Sequence, residues 1–88
     1  MQTIDHIRER LRSRLQAESV EIENQSHLHV GHAGAAGGGG HYAVTVVSKT
    51  FEGLNTLSRH RLVYAAVEDL MKKEIHALSI QAYSTGEL

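Results

Sequence analysis

Residues 51–83, FEGLNTLSRHRLVYAAVEDLMKKEIHALSIQAY, decide the fold. The glycine at position 53 marks a turn, followed by a short helical segment over 55–58. A longer helix is predicted over 59–73, because Leu62, Val63, Ala66, Val67, Leu70 and Met71 cover one wide apolar face. Glu68 with Lys72 and Asp69 with Lys73 stand four apart and would pair on its outer side. From residue 76 the period changes to two. Leu78, Ile80 and Ala82 alternate with Ser79, Gln81 and Tyr83, which predicts a strand over 76–83. A strand reached through a helical crossover lies parallel to the strand before that crossover, with a right-handed connection.

Working outward, residues 42–48 give the preceding strand, with Tyr42, Val44 and Val46 on one side and Ala43, Thr45 and Val47 on the other. Val47 makes the second side partly apolar, as expected of a central strand. Residues 19–25 give a half-buried strand with Val20 and Ile22 inward and Glu21 and Glu23 outward. At the start, Ile4, Ile7, Leu11 and Leu15 form a helical stripe over 3–17. Thr3 is the expected cap, Asp5 suits the positive end of the helix dipole, and Arg12 and Arg14 suit the negative end. The arginines are expected on a solvated face. The tail STGEL, residues 84–88, is expected to fray.

The fold class is therefore α+β: a single domain over residues 1–88 in the order α-β-β-α-α-β. It has a three-stranded mixed sheet with its helices on one face, the order of a type II KH-like domain. One face suffices because the chain has apolar surface for only one core.

At 88 residues and 41% hydrophobic content, the chain can form one modest globular domain. It has no Cys, which rules out a disulfide scaffold, a zinc ribbon and a thiol nucleophile. The N-terminal MQTIDHIRER is too charged for a signal peptide, and no apolar run reaches membrane-spanning length, so the cytoplasm is the expected location. Nine basic against ten acidic residues give no excess of the kind that phosphate binding favours.

Histidine is the unusual component, with seven in the chain. His27, His29, His32 and His41 fall within or beside the stretch HLHVGHAGAAGGGGH. Residues 27–40 are expected to form a flexible loop, because glycine has no side chain to pack. His27 and His41 border the strands, where structural roles are expected. His60 is expected to pack or hydrogen-bond, and His6 is expected to be an exposed helix residue without a role.

The HLHVGH spacing matches no standard zinc pattern. The run 37–40 is not a phosphate-binding loop, since Lys and Ser/Thr do not follow it. No nucleophile elbow is present. These readings point away from an enzyme.

The stretches FEGLNTLSRHRLVY (51–64) and IHALSIQAYSTGE (75–87) resemble the BolA family, and the resemblance covers nearly the whole chain. The KH-type GxxG loop is replaced here by Gly53-Leu54-Asn55-Thr56. The resemblance implies a partner of monothiol glutaredoxins in iron-sulfur and iron homeostasis. A two-iron two-sulfur cluster would be shared with the glutaredoxin and glutathione, which supply thiolates; the chain alone would bind none. The family's ligand at the start of the last strand maps onto His76. The loop ligand maps onto HLHVGH, with His29 first and His32 as its substitute. The free chain is expected to be a monomer or weak dimer.

The alternative that the resemblance implies is a DNA-binding transcriptional regulator of stress or morphology responses. It would use the helical segment 55–73, with Lys49, Arg59 and Arg61 as the nucleic-acid contacts.

Overall fold

The computed structural model describes residues 2–25 and 40–88. Helix α1 spans Thr3–Leu15, strand β1 Ser19–Asn24 and strand β2 Gly40–Val47. Helix α2 covers Thr56–Ala66, helix α3 Glu68–Met71 and strand β3 Ile75–Tyr83. Short 3-10 turns occupy Lys49–Phe51 and Thr85–Glu87. The sheet order is β1-β2-β3, with β1 antiparallel and β3 parallel to the central β2. The predicted α-β-β-α-α-β order and mixed sheet are those of the structure.

The registers bring Val20, Ile22, Val44, Val46, Tyr42, Leu78, Ile80 and Ala82 to one face, since Val20 pairs with Val46, Ile22 with Val44 and Tyr42 with Leu78. Ile7, Leu11 and Leu15 from α1, Val63 and Ala66 from α2, and Val67 and Leu70 complete a single buried cluster on that face. Phe51, in the turn after β2, is fully buried in it. One contiguous core of this kind supplies most of the folding free energy of so small a domain.

Several boundaries differ from the sequence reading, each for a local reason. The cap of α1 is Gln2, whose N–H donates to the Asp5 carboxylate at 3.0 Å and whose carbonyl accepts the Asp5 N–H at 3.0 Å; Thr3 is already helical. The helix stops at Leu15 because Gln16 turns left-handed at φ 51°. Its last carbonyl then accepts the hydroxyls of Ser48 (2.6 Å) and Thr50 (3.1 Å), partners for a group that helix ends leave unsatisfied.

The two segments expected at 55–58 and 59–73 divide elsewhere. Asn55 caps a continuous helix by accepting the Ser58 N–H at 2.8 Å. The break falls at Val67, where φ −115° and ψ 21° leave the helical region. Chain beyond Met71 is no longer regular helix, so Lys72 and Lys73 are not used as predicted. Asp69 instead accepts from Arg10 at 3.1 Å and faces Arg14 at 3.6 Å, joining α1 to α3. Arg14 also donates to the carbonyl of Ala66 at 2.8 Å. Part of the arginine face is thus spent on helix–helix ties.

Phe51-Glu52-Gly53-Leu54 forms a tight turn closed by the Leu54 N–H donating to Phe51 O at 3.1 Å. Glu52 at φ −60°, ψ 130° followed by Gly53 at φ 77° is the type II geometry, which favours glycine at its third position.

Candidate functional site

The N-terminal ends of β2 and β3 lie side by side, and there the ladder is irregular. Gly40 pairs with Ile75, but His41 pairs with Ala77, so His76 is the extra residue of a bulge. Strict alternation over 76–83 puts His76 on the side of Leu78 and Ile80. The bulge overturns that parity: Ile75 and Leu78 are both buried, whereas His76 is exposed. The His76 side chain is therefore presented to solvent.

His41 follows Gly40 and precedes the buried Tyr42, which puts it on the sheet face opposite the helices. Its ring stands beside that of His76, with centroids 5.1 Å apart and planes inclined by 41°. Nε2 of His41 is buried while the His76 side chain is open. His41 had been assigned a structural place at the hairpin mouth, and its meeting with His76 was missed. The signal was present only in the strand register, which brings the first outward residue of β2 to the first outward residues of β3.

Two imidazoles on one tetrahedral metal, each bonded at about 2 Å, have centroids roughly 5 Å apart. The centroid spacing of the observed pair matches that value. The described residues contain no group of three or more His, Cys, Asp or Glu able to hold a metal ion. A pair of imidazoles fills only part of a metal's coordination, and in a chain without Cys any thiolate ligand would have to come from another molecule. Of the loop expected at 27–40, residues 27–39, with His27, His29 and His32, lie outside the described residues; Gly40, placed in that loop by the sequence, is instead the first residue of β2.

Two positions before His76 comes Glu74. Its carboxylate oxygen Oε1 accepts from Nδ1 of His6 at 2.9 Å and from the hydroxyl of Thr3 at 3.1 Å. The bond from His6, aided by Thr3, holds the Glu74 carboxyl below the usual carboxylate range. His6, expected to be without a role, is half-buried and ties α1 to the residue two before His76.

The nucleic-acid candidates separate. Lys49 and Arg61 are exposed. Arg59 is not: only 13% of its side chain is accessible. Its guanidinium donates to Leu54 O at 2.8 Å, to Ala82 O at 3.0 Å and to Glu87 at 2.6 Å. A DNA contact through Arg59 would require giving up these internal partners, so the three-residue patch read from the sequence reduces to two exposed cations. The same ties correct the fraying expected of the tail. Glu87 accepts the Ser84 N–H at 2.6 Å, and Ser84 is buried.

Residues 11–87 match the protein family described as BolA-like protein. BolA-like protein 1 of Homo sapiens is 46% identical over 81 residues, covering 92% of this chain and 57% of its own length. The DNA-binding transcriptional regulator BolA of Vibrio cholerae is 39% identical over 83 residues, covering 94% of this chain and 76% of the relative. Among solved structures, BolA1 from Arabidopsis thaliana superposes with a TM-score of 0.84 at 37% identity, covering 100% of this chain and 97% of that one. The chain spans between 24% and 58% of the length of the first curated relatives it matches. With the family match running across nearly all of the described elements, the chain belongs to the BolA family.

Proposed function

We infer that this protein is a non-enzymatic partner of a monothiol glutaredoxin, and that it contributes imidazole ligands to a shared two-iron two-sulfur cluster. The observation that carries this reading is the exposed His76 ring 5.1 Å from His41 at the open end of the sheet. His76 is the fixed ligand, held by a strand end. The second imidazole is His41 by placement, with His29 and His32 the donors that the family resemblance implies.

Glutaredoxin and glutathione supply the thiolates that this chain lacks. Imidazole ligation on one iron raises a cluster's potential relative to all-thiolate ligation. The role of the chain is to offer two ring nitrogens at a set spacing and to leave the rest of the coordination open. A cytoplasmic site of action belongs to this proposal; no helix among the described residues is long and apolar enough to cross a membrane.

Visible-range circular dichroism of the chain mixed with a monothiol glutaredoxin, glutathione, iron and sulfide tests the reading. His76→Ala is expected to abolish the mixed-ligand spectrum while far-UV dichroism stays native. His41→Ala is expected to reduce it more than His29→Ala or His32→Ala does. A wild-type spectrum from folded His76→Ala overturns the assignment.

The second reading, a DNA-binding regulator, draws support from the name of the Vibrio cholerae relative and from the exposed Lys49 and Arg61. With two such cations, affinity for a promoter fragment is expected to fall with salt at a slope of about −2. A slope several times steeper points to a surface other than these residues.

A further inference from the structure

Glu74, two positions before the bulged residue, is held through its N–H, its carbonyl and one carboxylate oxygen. The Glu74 N–H donates to Leu70 O at 2.9 Å, and its carbonyl accepts the Gly40 N–H at 3.1 Å. Its carboxylate takes the Thr3 and His6 bonds from the first turn of α1. Immediately after it, Ile75 is buried at 2% exposure, and Leu78 returns to the core three positions later at 8%. His76 and Ala77 must cross the interval between these two anchors, and the surplus residue emerges as the outward-facing histidine.

The facing strand is fixed just as closely. A side-chain carbon on Gly40 would lie 2.5 Å from the Tyr42 ring, so that ring packs directly against the Gly40 backbone. Gly40 and Tyr42 bracket His41 in the way that Ile75 and Ala77 bracket His76. The two rings therefore stand on anchored backbone, and α1 reaches that backbone through its grip on Glu74.

We propose that Glu74, gripped by His6 and Thr3, is a positioning residue that holds the β3 bulge in register and thereby sets the spacing of the His41–His76 pair. Its value to a metal rests on the reading of that pair as ligands; its effect on the spacing does not. The groups facing Glu74 act on the ligand pair only through the backbone, as outer-shell partners do when they orient a ligand without touching the metal.

The test uses the full chain, first without metal. Nuclear Overhauser contacts between the His41 and His76 rings report the spacing directly, and calorimetric titration with Zn2+ alone reports its consequence. Glu74→Ala is expected to remove the ring–ring contacts and to weaken Zn2+ binding about tenfold. Glu74→Gln keeps an acceptor oxygen for Thr3 and His6 and is expected to retain the contacts, with affinity within about twofold of wild type.

Should Glu74→Ala fail to fold, the double variant His6→Ala, Thr3→Ala removes the grip and leaves Glu74 in place; it is expected to reproduce the loss. Ring–ring contacts of wild-type strength in folded Glu74→Ala, or in the double variant, overturn the proposal. Equal Zn2+ binding by wild type and His76→Ala instead overturns the ligand reading, while the ring contacts still decide the role of Glu74.

Discussion

The two ends of the sheet treat their polar side chains in opposite ways. At the far end, where β2 and β3 run out, Ser48 and Thr50 bond the last carbonyl of α1, and Arg59 joins the 54 and 82 carbonyls to Glu87. Hydrogen bonds there close orphaned backbone groups that burial would otherwise penalise. At the near end, the same economy is applied one layer back, at Glu74, and the histidines in front of it are left facing outward. Polar chemistry that is consumed internally at one end is presented at the other. A residue's type therefore says little about its role: arginine, the expected phosphate reader, is a brace, and a helix histidine taken as incidental secures the site.

Substitution of the brace should break the far end most. Arg59→Ala leaves two backbone carbonyls and Glu87 without their charged donor, and is expected to cost about 2–3 kcal/mol in urea unfolding. Lys49→Ala and Arg61→Ala, both exposed, are expected to stay within about 0.5 kcal/mol of wild type. Equal costs for all three would show that Arg59 is as free as its neighbours, and the contrast between the ends would weaken.

A smaller effect is expected at the turn between them. Gly53 sits at φ 77° with open space around it, so Gly53→Ala meets no clash and pays only for the backbone conformation, about 1 kcal/mol. Gly53→Asn, whose side chain tolerates that region, should recover part of the loss.

Acid sharpens the comparison further. The Ser84 N–H and hydroxyl, with Arg59, hold the Glu87 carboxyl down to about 2 from its ordinary 4.5. A carboxyl depressed in the folded state contributes stability that is fully present above its ordinary value and is lost as pH falls toward the folded one. Wild type should therefore lead Glu87→Gln above about pH 5, and the gap should close progressively on the way down to about 2. Unfolding midpoints across that window measure it; a gap that persists at the acid end would show that the cap does not depend on the charge.

The smallest effect belongs to the exposed histidine. His76→Ala is expected to change thermal stability by less than about 0.5 kcal/mol, because its side chain is solvent-facing and its neighbours hold the strand. A large loss would make His76 a structural residue, and the two ends would then differ less than their geometry indicates.

Periodicity alone determined much of this molecule. The stripe Ile7, Leu11, Leu15, the alternation in the three strands and the crossover between them dictate a mixed sheet covered on one face, because a chain this short can bury apolar surface in only one way. His76 was legible through the resemblance of IHALSIQAY to the BolA family, a matter of residue identity rather than geometry. Other features depended on contacts between residues far apart in sequence. The bulge that turns His76 outward arises where Ile75 and Leu78 both reach the core, which strict alternation cannot express. The meeting of His41 with His76 depends on parallel register across 35 positions, and the bond from His6 to Glu74 spans 68. Local sequence encodes which way a side chain faces on its own element. Only packing decides which side chain it meets, because that is set by the depth at which the elements come to rest against a shared core.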